Sequence, residues 1–202
     1  MEENNIPKPE IPTDKGGKKD ILKGFIGFIW EFLKIVIIAV IIVLPIRYFI
    51  FQPFIVKGES MVPNFQSGDY LIVDEISYRF GEPQRGDVVV LKFPLDDTQR
   101  FIKRVIGLPG ETVEIKGGKV GIIKDGKDLQ LDEKKYLPDM LVTSGNINVT
   151  LKPGQYFVLG DNRQFSYDSR GWGILPREDI VGKALFRVLP ISTMSYVAKP
   201  AY

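Results

Sequence analysis

Hydrophobicity divides the chain into three stretches before any chemistry is considered. Up to about residue 19, charged residues, Pro and Gly predominate and apolar residues are few, the texture of a disordered tail. Then ILKGFIGFIWEFLKIVIIAVIIVLPIRYFIFQPFIV runs almost continuously apolar; residues 35–46 carry no charge, and between 35 and 51 only Arg47 intrudes. Those seventeen residues, as a helix rising about 1.5 Å per residue, span roughly 26 Å, close to the thickness of a bilayer core. Glu31 and Lys34 sit one helical turn apart near its start. Arg47 can snorkel to the interface, Pro45 is a candidate kink, and Pro53 marks an end. Beyond Gln52 the pattern changes to short runs rich in β-branched and aromatic residues: YLIVDEI, DVVVLKF, RFIKRVIG, TVEIKGG, QYFVLG and IVGKALFRVL. Gly-Asp, Pro-Gly and Gly-Gly separate them.

This pattern predicts a mostly β protein, an antiparallel β-sheet domain behind one N-terminal transmembrane helix. The expected boundaries are a disordered cytoplasmic tail at 1–20, the anchor at 21–51, and an extracytoplasmic β-rich domain at 52–202. Within that domain, about 116–152 is more polar and irregular and reads as a β-rich insertion at the rim. Only 176–180 hints at a short helical turn. A buried core helix or a cleaved signal peptide are the alternatives for the apolar run. A signal peptide needs small residues after its apolar core, and LPIRYFIFQPFIV contains no Ala, Ser or Gly. Lys8, Lys15, Lys18, Lys19, Lys23 and Lys34 precede or open the run, whereas Arg47 and Lys57 are the first cations at its far end. That asymmetry places the N-terminus in the cytoplasm and the bulk of the chain outside.

Composition sharpens the choice of chemistry. Of 202 residues, 44% are hydrophobic, enough for a sizeable core, and 27 basic against 25 acidic residues give no general argument for nucleic-acid binding. There is no His and no Cys. That excludes disulfides, a thiol nucleophile, the usual zinc site and a Ser-His-Asp triad. Hydrolytic chemistry must rest on Ser, Thr, Lys, Tyr, Asp or Glu.

Three segments offer such groups. Ser60 lies in VKGESMVPNFQSGD, a turn shaped by Gly58, Pro63 and Gly68; a serine there fits a plain turn residue as well as a nucleophile. In RFIKRVIG, strand alternation puts Phe101, Lys103 and Val105 on one face, and Ile102, Arg104 and Ile106 on the other. A lysine desolvated between Phe and Val has a lowered pKa and can take a proton from a serine hydroxyl; the alternative is a lysine on a solvent face. The third segment, GDNRQFSYDSRGWGILP, holds Asp161, Arg163, Asp168 and Arg170, able to form charge-assisted pairs, and Ser166, able to orient a lysine amine. It fits equally a polar surface loop held by salt bridges.

Taken together and in this order, these segments resemble the bacterial type I signal peptidases. GESMVP resembles the nucleophile box, with Ser60 followed by the usual Met, here Met61; GDVVVLKFP (86–94) resembles the core strand box. RFIKRVIGLPGE (100–111) resembles the lysine box with Lys103 as general base, and GDNRQFSYDSRGWG the last box, with Ser166, Asp168 and Arg170 at matching positions. Two positions depart from the pattern. Gly58 stands where many members carry a Ser whose hydroxyl helps stabilise the oxyanion, which leaves the Ser60 N–H as the donor that can be named. Gln164 and Phe165 stand where polar Asp or Asn is common. The resemblance implies a membrane-bound serine endopeptidase with a Ser-Lys dyad that removes signal peptides from exported preproteins, cutting after small residues. It implies no cofactor and no metal, and as partners preproteins and the lipid bilayer but no nucleic acid. Ser166 would fix the Lys103 amine, Asp168 and Arg170 would brace their loop, and the substrate would add as a strand beside the segments leading into Ser60 and Lys103. A soluble Ser-Lys self-cleaving repressor would need a DNA-binding module, which residues 1–51 do not offer. A non-catalytic, membrane-tethered β domain that binds partner proteins is the alternative of a different class.

Overall fold

The computed structural model describes residues 17–49, 51–200 and 202; the tail expected at 1–16 lies outside them. The first unit is a single helix, α1 (Gly17–Phe49). Its stretch Lys23–Leu44 has a mean hydropathy of 2.6 and no buried part, long and apolar enough to cross a membrane. Consecutive residues Phe28, Ile29 and Trp30, and again Val40 to Leu44, are exposed on every side. A helix apolar all round is the kind a bilayer accommodates, because no face asks for water. The one charged pair in the stretch neutralises itself, Lys34 Nζ lying 2.7 Å from Glu31 Oε1 one turn away. The helix takes in residues 17–20, which the polarity pattern assigned to the tail; lysines are good helix formers and extend a turn already nucleated by the apolar run. Phe51, expected at the end of the anchor, instead opens a strand.

The second unit is β-rich. Its main sheet contains β1 (Phe51–Ile55), β2 (Tyr70–Asp74), β3 (Val88–Phe93), β4 (Asp96–Gly107), β9 (Gln155–Leu159), β10 (Leu175–Pro176), β11 (Ile180–Leu189) and β12 (Ser195–Tyr196). A smaller sheet contains β5 (Thr112–Lys116), β6 (Lys119–Lys124), β7 (Lys127–Gln130) and β8 (Ile147–Thr150). One-turn helices α2 (Ser77–Phe80) and α3 (Ser169–Trp172) and 3-10 turns at Arg177–Asp179 and Ile191–Thr193 fill the connections. The main sheet runs β1-β2-β11-β3-β4-β9-β10, with β12 added to β11, and the small one β7-β6-β5-β8. Every pairing is antiparallel. The small sheet begins at Thr112, ahead of the expected insertion boundary at 116, because TVEIK pairs on both sides, with β6 and with β8.

β4 is the spine. Its second half is buried on both faces, so its apolar residues feed separate cores. Ile102 joins Met61, Phe65 and Leu71 beneath the turn that carries Ser60. Phe101 and Val105 pack with Val89, Leu91 and Val158 on the opposite face. Ile106 enters the core of the small sheet with Val113, Leu151 and Phe157. The register shifts between Val105 and Gly107, where β4 pairs with β9 and turns toward β5. Gly107 has no room for a side chain: a Cβ there would lie 2.3 Å from Val113 Cγ2 and 2.7 Å from Leu151 Cδ1. Gly107→Ala should therefore overpack this junction and lower stability by about 1–3 kcal/mol, read as an earlier unfolding midpoint of the detergent-solubilised chain; an unchanged midpoint would mean that the two sheets separate easily here.

Candidate active site

Lys103 reaches the site from β4, in register with Val89 of β3. Its side chain is 3% exposed. The amine Nζ lies 2.8 Å from Ser60 Oγ and 3.0 Å from the carbonyl of Ile102, with the Phe101 ring 5.2 Å away. Burial pushes its pKa down to about 8, although Asp168 and Asp161 pull in the opposite direction.

Ser60 is delivered by a turn whose anchor is Met61, 1% exposed in the core under it. The turn is closed by Phe65 N–H to Met61 O at 2.9 Å and Val62 N–H to Glu59 O at 3.2 Å. Gly58 precedes it at φ +85°. A Cβ at Gly58 would meet nothing within 4 Å, so the position needs glycine for its backbone conformation and not for space.

The third wall is the loop after β9. The Asn162 N–H donates to Ser60 O at 2.9 Å and its side-chain amide to Glu59 O at 3.0 Å, tying the loop to the nucleophile backbone. Gly160 is pressed between the two: a Cβ there would lie 2.4 Å from Ser60 O and 2.1 Å from Ser166 Oγ. Its N–H donates to Asp168 Oδ2 at 3.0 Å. Asp168 takes Arg170 Nε and Nη2, each at 2.8 Å. Burial works to raise the Asp168 carboxyl, but the Arg170 guanidinium and the Gly160 N–H outweigh it and hold the carboxyl below its usual range.

The expected site residues Gly58, Ser60, Met61, Lys103, Ser166, Asp168 and Arg170 thus gather around one point, with one difference in detail. Ser166 does not hydrogen-bond the Lys103 amine. Its hydroxyl is buried against Gly160 and lies toward the Asp168 carboxylate, which it helps to keep ionised, while the amine is taken by Ser60 Oγ and the Ile102 carbonyl. Asp161, Arg163, Asp168 and Arg170 all form charge-assisted pairs. Only Asp168 and Arg170 pair with each other. Asp161 is held by Arg104 through two bonds of 2.8 and 2.6 Å, with Asn64 donating at 2.8 Å. Arg163 is held by Glu133. Arg104 could have been found from sequence, since an arginine on the second buried face of a strand needs a carboxylate; nothing local marks Asn64, Asn162 or Glu133.

A buried amine thus lies against a serine hydroxyl in a chain that has no histidine. The family model for signal peptidase, peptidase S26, matches residues 29–189. The chain belongs to the signal peptidase family. A probable signal peptidase I-1 from Synechocystis sp. is 40% identical over 174 residues, covering 81% of this chain and 86% of that one. Signal peptidase I of Leptolyngbya laminosa is 37% identical over 178 residues, 84% of each chain. Signal peptidase I of Bacillus amyloliquefaciens is 38% identical over 176 residues, 82% of this chain and 88% of that one.

In this member of the signal peptidase family, only an unprotonated Lys103 can accept a proton. A lysine whose pKa is depressed to about 8 is protonated below that pH and neutral above it. With Lys103 as the proton acceptor, kcat/KM should rise with pH through a midpoint near 8, falling about tenfold per unit on the acid side. A flat profile between pH 6 and 9 would show that Lys103 does not titrate in the reaction. Gly58→Ser should lose about 1 kcal/mol of stability, because serine is forced to positive φ, and should bring no gain in kcat. A faster Gly58→Ser enzyme would show that a hydroxyl at this position reaches the oxyanion.

Proposed function

We propose that this chain is a membrane-anchored serine endopeptidase that removes signal peptides from exported preproteins with Ser60 as nucleophile and Lys103 as general base. The observation that carries the reading is the buried Lys103 amine 2.8 Å from Ser60 Oγ. Neutral Lys103 takes the Ser60 proton as Oγ bonds to the carbonyl carbon at the cleavage site. The Ser60 N–H stabilises the oxyanion. The protonated amine gives its proton to the departing amine of the mature protein as the peptide C–N bond breaks. A water that Lys103 deprotonates then cleaves the ester and returns Ser60 to its hydroxyl form. When Ser60 turns to the substrate, the Lys103 amine loses a partner, and we assign the buried Ser166 hydroxyl, whose proton faces Asp168, to accept from it. Asp168 and Arg170 brace the loop that carries it.

The sheet offers a place for the scissile segment. Among the described residues β1 is the terminal strand, with one edge unpaired, and β4 meets β9 only from Arg104 onward, which leaves the stretch before Lys103 paired on the β3 side alone. A substrate strand completes such edges through backbone hydrogen bonds, and the side chains alternating toward the protein must be small where apolar walls stand close. We assign the residues before Lys23 to the cytoplasm, the apolar span Lys23–Leu44 to the bilayer and the β-rich unit from Phe51 onward to the extracytoplasmic side, following the lysine asymmetry. The partners are then the preprotein and the lipid bilayer, and the chemistry needs neither a metal nor a nucleic acid.

The test is cleavage of a preprotein carrying Ala at the first and third positions before the cut, by the full chain in detergent. Ser60→Ala and Lys103→Met should each fold and lose about 10³-fold or more in kcat. Lys103→Arg should be equally inactive, since a guanidinium stays protonated. Substrate with Phe in place of the Ala immediately before the cut should not be processed. Near wild-type processing by Lys103→Met would overturn the dyad, and efficient cleavage after Phe the specificity.

A further inference from the structure

Arg163 is among the largest side chains in the protein that are fully buried. A buried guanidinium is tolerated only when its charge and donors are matched. Here the match comes from a distant segment, residues 131–146 between β7 and β8. Glu133 takes Arg163 Nη1 at 2.9 Å and Nη2 at 2.6 Å; Thr143 Oγ1 takes Nη1 at 2.6 Å. Tyr136 Oη lies 3.2 Å from Nη2 and itself donates to Glu133 at 2.6 Å. The remaining donor, Nε, goes to the carbonyl of Gly160 at 3.0 Å.

That last bond links the small-sheet module to the chemistry. Gly160 is wedged between Ser60 O and Ser166, and Asn162, one residue before Arg163, holds the backbone of Ser60 and Glu59. A shift of Arg163 moves both Gly160 and Asn162, and with them the peptide that aims Ser60 Oγ at Lys103. We propose that Glu133 is a positioning residue for the nucleophile: through its two-bond grip on Arg163 it sets residues 160–162 against the Ser60 backbone. This rests on reading Ser60 and Lys103 as the dyad. A carboxylate holding both guanidinium nitrogens fixes orientation as well as distance, which a single hydrogen bond does not. Glu133 has no bond to β1 or to the first half of β4, the edges assigned to substrate, so its loss should act on kcat and spare KM. It reaches Lys103 only indirectly, through Arg163 and Asp161, so the acid-side midpoint of the pH profile should move little.

The experiment uses the full chain in detergent, with preprotein as substrate and thermal unfolding measured in parallel. Glu133→Gln should lower kcat by about 10- to 100-fold, the range expected when reacting atoms are misplaced by up to about 1 Å, with KM within about twofold. Because that variant leaves the Arg163 charge unmatched and can unfold, the deciding variant is Glu133→Leu with Arg163→Met. Removing both members of a buried pair is commonly neutral for stability, yet it leaves the Gly160 carbonyl without its donor. It should fold and remain at least about tenfold slow. Full kcat in the folded double variant would overturn the proposal, because the pair would then serve stability alone; so would its failure to fold, or a rise in KM with kcat unchanged. Ser60→Ala, run alongside, separates the two claims: activity there would sink the dyad whatever Glu133 does.

Discussion

A lysine amine is neutral near pH 8 only if water is kept from it, and the rest of the domain is arranged around that exclusion. Burying an ammonium group costs stability, and the protein accepts the cost by placing Lys103 in the middle of its longest strand, where β3 on one side and the loop after β9 leave it 3% exposed. The Phe101 ring seals one flank. Only Ser60 Oγ and one backbone carbonyl are offered to the amine, both neutral groups that do not insist on a charged partner.

Two carboxylates nonetheless sit close enough to oppose this, and what prevents them from capturing the lysine is arginine. Asp161 is occupied by two bonds from Arg104, and Asp168 by two from Arg170. A planar guanidinium matches both oxygens of a carboxylate at once and does not give up its proton, so it fixes the acid's charge in a direction away from the lysine. Adjacent residues of β4 therefore do opposite work. Lys103 is left without a counter-ion so that it can be neutral, and Arg104, on the other face, is fully matched so that it cannot be.

What could be read in the sequence was whatever depends on near neighbours. Alternation along RFIKRVIG separated Lys103 from Arg104, glycines around Ser60 marked a turn, and IVGKALFRVL coincides with β11 from end to end. What could not be read depends on partners far along the chain. Asp161 finds Arg104 across 57 positions and Arg163 finds Glu133 across 30, and no local period carries that information. β1 was hidden for a different reason: its residues continue the apolar run of the anchor, and hydrophobicity alone does not show where helix gives way to strand. Nor could the placing of Ser166 be read, because a glycine, Gly160, admits its hydroxyl through the side chain that it lacks.

The apolar surface of α1 has an evolutionary corollary. Gly24, Gly27, Glu31 and Lys34 line one side of its first half, but from 35 to 44 hydrophobic side chains point in every direction and offer a neighbouring helix no polar or glycine stripe to recognise. Selection on such a segment acts on a sum, the transfer free energy of the whole span into lipid, and scarcely on the identity of any one member. Exchange among Ile, Val and Leu from 35 to 44 leaves that sum almost unchanged, whereas each residue packed around Lys103 has particular partners to keep.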